Sequence, residues 1–113
     1  MVDVTDFAGL ADNIRSNVNL NVKNDIAFTT TVAINGLTNL VISSTVNPRP
    51  ELKATNILLF GFSGGSEVSF DGVEIKDGST TGDGGCIKAV GAGTTVDIAN
   101  GALSNCQVLS TKW

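Results

Sequence analysis

Apolar and polar positions alternate over most of the chain, and the alternation recurs at a fixed distance. Val68 and Phe70 open one such stretch and Val96 and Ile98 the next, and both pairs are separated by the same step. That step also links Ile75 to Leu103, and counted backwards it joins Val68 and Phe70 to Leu40 and Ile42. Gly36, Gly64 and Ala92 keep it too, each just ahead of an alternating run. Side chains alternate faces along a strand, so each run buries one face only. A constant period in the range of roughly 20–50 residues marks stacked units that bury their apolar faces against one another.

The first element breaks this pattern. Phe7, Leu10, Ala11 and Ile14 recur at helical spacing, so residues 5–14 read as a short amphipathic helix, with Thr5 as cap and Asp6 at its positive end. Gly9 weakens it by about 1 kcal/mol relative to Ala. Ahead of an array of strands, such a helix is expected to cover the open end of the stack. From Val18 the period is two: Val18, Leu20 and Val22, then Ile26 and Phe28, Val32 and Ile34, Leu40 and Ile42. Over 44–54 the alternation lapses, and Pro48 and Pro50 have no N–H for a central ladder. That whole segment is expected to be a loop ejected from the stack.

Ile57, Leu59 and Phe62 resume the strands, and Ile87 follows Leu59 by the step that separates Val68 from Val96. Val68 with Phe70 and Val73 with Ile75 flank Asp71-Gly72, a turn signal. After a glycine-rich turn over 77–85 come Ile87, Ala89, Val96, Ile98, Leu103 and Val108. No stretch between these strands is long enough for a crossover helix, so neighbouring coils must supply parallel partners directly. The expected fold is all-β, a short parallel β-helix of about four coils forming one domain over 1–113. Within it, 15–108 are coils and 109–113 a tail.

Composition narrows the function. Charged residues make up only 16% of the chain and Gly occurs 13 times, which suits strands and tight turns rather than helices. The net charge is −4, with five acids and four bases up to Ser66 and six acids and three bases after it. No basic stripe or base-stacking platform is present, so nucleic acid is not an expected partner. No apolar run has the length to span a bilayer as a helix. Met1-Val2-Asp3-Val4-Thr5-Asp6 is acidic where a signal peptide carries bases. Compartment stays open between retention at the site of synthesis and earlier removal of a targeting segment.

Gly84-Gly85-Cys86-Ile87, then Val96-Asp97-Ile98, then Leu103-Ser104-Asn105-Cys106 resemble the repeat of polymorphic outer-membrane proteins. That repeat alternates a Gly-Gly-small-Ile element with an aromatic-x-Asn-Asn/Cys element, within the pectin-lyase-like β-helix class. Leu103 stands where the family prefers Phe, and Cys86 where it prefers Ala. The resemblance covers the stretch from Gly84 to Cys106 closely and the coil pattern of 14–108 loosely. It implies a right-handed helix, and it implies an adhesin or a polysaccharide-binding role as one function class.

Lyases and hydrolases of that class use an arginine base with acidic calcium ligands, or clustered aspartates with a histidine. This chain has no histidine and only Arg15 and Arg49. Asp71 with Glu74, and Asp77 with Asp83, are its candidate carboxylate pairs, and Asp-Gly pairs are also ordinary turn formers. Asp77 and Asp83 bracket an oxygen-rich turn and are the candidate calcium ligands, without the Asp-x-Asp-x-Asp-Gly series of a calcium loop. No cofactor is expected. Cys86 and Cys106 are close enough in the chain to share a coil or lie on neighbouring ones, and they read either as a disulfide or as buried thiols. Thr38, Ser66 and Thr94 form one hydroxyl column at the same repeat step, too narrow for the flat array of an ice-binding solenoid.

The leading expectation is a non-catalytic scaffold or accessory subunit docking onto a larger protein assembly. Its candidate contacts are the open end of the stack, Pro48, Arg49 and Pro50 in the loop, and Trp113 in the tail, since tryptophan is enriched at buried interfaces. A cell-surface adhesin or carbohydrate-binding module is the alternative, and a minimal polysaccharide lyase the third.

Overall fold

The computed structural model describes residues 2–54, 57–77, 86–104 and 108–110, with side chains through Gly101. Its strands form three sheets, and every strand pairing is parallel. The chain visits the sheets in rotation four times. The first circuit is β2 (Asn19–Val22), β3 (Ile26–Phe28) and β4 (Val32–Asn35). The second is β5 (Leu40–Ser43), β6 (Glu51–Ala54) and β7 (Phe60–Ser63), and the third β8 (Glu67–Asp71), β9 (Glu74–Lys76) and β10 (Ile87–Ala89). The fourth is β11 (Thr95–Ala99), β12 (Ala102–Ser104) and β13 (Val108–Ser110). Sheet I therefore stacks β2, β5, β8 and β11, sheet II β3, β6, β9 and β12, and sheet III β4, β7, β10 and β13.

The register explains the period. Leu40, Val68 and Val96 lie side by side, as do Ile42, Phe70 and Ile98, and Ile75 pairs with Leu103. A one-residue slip would turn every one of these side chains outward, so burial holds the register. The step is not constant elsewhere. It is shorter from Leu20 to its partner Ile42 and from Ile26 to its partner Leu52, the turns taking up the difference. Ile87 pairs with Phe60 rather than Leu59. Leu59 is the corner residue before β7, buried like Cys86 before β10, and the Phe60 N–H donates to the Cys86 carbonyl at 3.0 Å. Apolar doublets arise where a corner residue and the first strand residue both face inward.

The core is the common interior of the three sheets. Phe60 on sheet III meets Phe28 of sheet II at 5.1 Å between ring centroids and Phe70 of sheet I at 5.2 Å, both edge-on. Phe62 stacks beside it at 5.6 Å. Such aromatic pairs add about 0.5–1.5 kcal/mol each beyond the area they bury.

Before the first circuit come β1 (Val2–Val4) and α1 (Phe7–Asp12). β1 adds a fifth strand to sheet I, with Val2 beside Leu20 and Val4 beside Val22. The helix is shorter than the sequence pattern suggests. Asp6, not Thr5, caps it: its backbone is extended and its carboxylate accepts the Gly9 N–H at 2.8 Å. In its short span α1 buries Leu10 and leaves Ala11 exposed, while Phe7 packs on Phe28 at 5.0 Å. It lies on β1 and β3, over one end of the interior.

The expected loop over 44–54 ends at Pro50. Residues 51–54 are β6, with Leu52 and Ala54 in the core. A proline lacks only the donor, and just ahead of a strand its carbonyl still works: Pro50 accepts the Glu74 N–H at 3.0 Å. The Pro48 peptide bond, Asn47-Pro48, is cis.

Candidate functional site

The loop over 44–50 leaves the stack at the corner between sheets I and II. It forms one wall of a groove of about 710 Å³, whose other lining comes from Asp25, Glu51, Gly72, Glu74 and Asn100. These residues belong to all four circuits, so the groove runs along the stacking direction. Neighbouring parallel strands are about 4.8 Å apart, which makes it about 14 Å long from the first circuit to the fourth.

Its polar groups bind one another. The Glu51 N–H donates to Asp25 Oδ1 at 2.9 Å, and Asn100 Nδ2 donates to Asp71 Oδ1 at 2.9 Å. Arg49 Nε lies 3.6 Å from Glu74 Oε1, and its Nη1 donates to the Asn100 carbonyl at 3.4 Å. On the outer face of sheet II, Glu51 stands beside Glu74 and Lys53 beside Lys76, like charge next to like. Pairs of opposite sign offset this: Glu51 takes Lys76 at 3.3 Å and Lys53 at 3.8 Å. The hydrogen bond and charge of Glu51 hold the Lys76 ammonium above its ordinary value.

The candidate carboxylate pair Asp71 and Glu74 thus flanks the positive-φ turn at Gly72, with each member engaged: Asp71 by Asn100 and Glu74 by Arg49. Asp77 is half-buried with φ +61°, while its proposed partner Asp83 lies outside the described residues. Among the described residues no three His, Cys, Asp or Glu side chains converge as metal ligands would. Arg15 is exposed, far along the chain from these acids, and donates to Asn13 Oδ1 at 2.8 Å.

Of the loop candidates, Pro48 and Arg49 are exposed and line the groove, but Pro50 is buried and anchors β6. Cys86 is fully buried and disulfide-bonded, so its sulfur is not a thiol. Cys106 and Trp113 lie outside the described residues. No described helix is long and apolar enough to cross a membrane, which says nothing of a β-barrel.

The hydroxyl column has a structural task. Ser66 and Thr94 are fully buried at the corner leading into sheet I, whereas Thr38 is exposed. Thr94 Oγ1 accepts the Gly65 N–H at 3.0 Å and donates to the Val90 carbonyl at 2.9 Å. Ser66 Oγ, one circuit earlier, accepts the Leu37 N–H at 3.3 Å and donates to the Ser63 carbonyl at 2.7 Å. Ser16 begins the column, accepting the Thr38 N–H at 3.0 Å. Ser16, Ser66 and Thr94 each fasten one circuit to its neighbour.

Asp25 and Asn100 were not among the sequence candidates. Both stand in ordinary turn contexts, Asn24-Asp25 and Asn100-Gly101, and only the stacking brings them to one groove. No protein-family model, curated protein or solved structure matches the chain.

Proposed function

We propose that this chain is a non-catalytic, right-handed parallel β-helix module that docks on a larger protein assembly through its corner groove. The observation that carries the reading is the loop over 44–50, which leaves an otherwise regular stack to build a groove touching every circuit. Surface loops held on a rigid scaffold are where binding residues concentrate. The three-sheet rotation supports a β-helix, and its right hand follows from the family resemblance and from the strong bias of parallel crossovers. The internal pairing of Asp71 and Glu74 favours binding over acid–base chemistry.

Solution mass of the isolated, folded chain across a concentration series tests the subunit reading. Reversible self-association as concentration rises is the result expected of a docking surface left without its assembly. A chain that stays monomeric throughout the series overturns it. The polar lining of the groove favours a second reading, a carbohydrate-binding module of the adhesin type, and glycan-array binding lost on blocking the groove would select that one. Calcium-dependent cleavage of a polysaccharide would instead establish the lyase.

A further inference from the structure

We propose that residues 45–49, the outer wall of the corner groove, are a hinged strap, and that Arg49 is the latch that holds it against the stack. The inference rests on the reading of the groove as the docking site and names how access to it is controlled. Both ends of the strap are anchored within the stack. At one end Ser44 Oγ donates to the Val22 carbonyl at 2.7 Å and accepts the Val46 N–H at 3.0 Å. At the other, buried Pro50 accepts the Glu74 N–H and the Glu51 N–H is fixed on Asp25.

Between these anchors the chain is exposed at Thr45, Asn47, Pro48 and Arg49. The Arg49 side chain reaches forward, from the second circuit to Glu74 on the third and Asn100 on the fourth. Its two contacts are long, at 3.6 and 3.4 Å, and its side chain is 43% exposed. A pair with that geometry is weak and salt-screened. The anchors fix where the strap hinges, and the latch is weak enough to open. Opening widens the groove between the strap and its facing residues Glu74 and Asn100 on the later circuits.

Amide hydrogen exchange on the full chain, followed residue by residue in low and high salt, tests this without any ligand. Arg49→Ala is expected to speed exchange at Val46, the strap amide held on Ser44 Oγ, by about two- to fivefold, the factor that an exposed ion pair supplies. Leu52 and Ile75, on the adjoining strands, are expected to keep their wild-type rates. Glu74→Gln should act in the same direction, and the double variant should add little to Arg49→Ala. High salt should speed the wild type and leave Arg49→Ala unchanged. Unaltered strap exchange in Arg49→Ala overturns the proposal. So does equal acceleration at Leu52 and Ile75, because Arg49 would then stabilise the stack as a whole. Failure of the docking reading would leave these rates untouched, so the two ideas fail separately.

Discussion

The buried hydroxyl of Thr94 offers the sharpest test of how the circuits are joined. Valine has the same shape, so Thr94→Val removes the oxygen and little else. Two backbone groups lose their partner: the Gly65 N–H at 3.0 Å and the Val90 carbonyl at 2.9 Å. A buried group left unpaired costs about 1–3 kcal/mol. Gly65 and Val90 are half-buried, which lets water reach them in part and sets each cost near the lower end. The expected loss is therefore about 2–3 kcal/mol. Thr94→Ser keeps the oxygen and removes one methyl, at about 1 kcal/mol. Equilibrium unfolding in urea, with the disulfide intact and circular dichroism as signal, separates the two. With a slope of about 2 kcal/mol/M, the valine variant's midpoint falls by about 1–1.5 M and the serine variant's by about 0.5 M. Midpoints that coincide would refute the hydroxyl clasp and leave only packing at that corner.

Three other outcomes follow from the structure. Phe60→Ala empties the meeting point of Phe28, Phe62 and Phe70 and should cost about 3–5 kcal/mol in the same urea assay, whereas Phe60→Leu should cost less than half of that. Gly72→Ala forces a side chain into φ +79° and drives its Cβ onto the Ser44 carbonyl oxygen, so a loss of more than about 1 kcal/mol is expected where an ordinary exposed turn would lose a few tenths. Lys76 has its pKa raised above 10.5 by Glu51, so the stability it contributes is complete below that pH and is lost as pH rises through the raised value. A thermal melt series from about pH 9 to about pH 12 should show that extra alkaline loss in the wild type and not in Glu51→Gln.

The spacing of Val68, Phe70, Val96 and Ile98 made the stacking legible because those residues really are strand neighbours, held in register by burial. What stayed hidden has a physical cause in each case. β6 was masked by Pro50, whose missing donor looks prohibitive until its carbonyl is seen to serve Glu74. The pairing of Ile87 with Phe60 was misjudged by one position because Leu59, at the corner, is as buried as the strand residues. β1 offers only Val2 and Val4, too short an alternation to read without its neighbour β2. The hydroxyl column was visible as a spacing, but whether it faced water or the interior depends on the bend of the corner. The groove was the least legible part. Asp25 and Asn100 stand near opposite ends of the chain and share a surface only because four circuits are piled on one another.

The common direction of those strand pairings also sets how the molecule bears a mechanical load. Every ladder hydrogen bond lies along the stacking direction, so tension applied in that direction opens the ladder one bond at a time. A pull from β11 back towards β2 therefore peels the stack like tape rather than shearing it at once. In sheet I each release frees one circuit of chain, from Val68 to Val96, from Leu40 to Val68, or the shorter span from Leu20 to Ile42. At about 3.5 Å per residue that is about 75–100 Å of new contour length, a sawtooth whose teeth count the circuits.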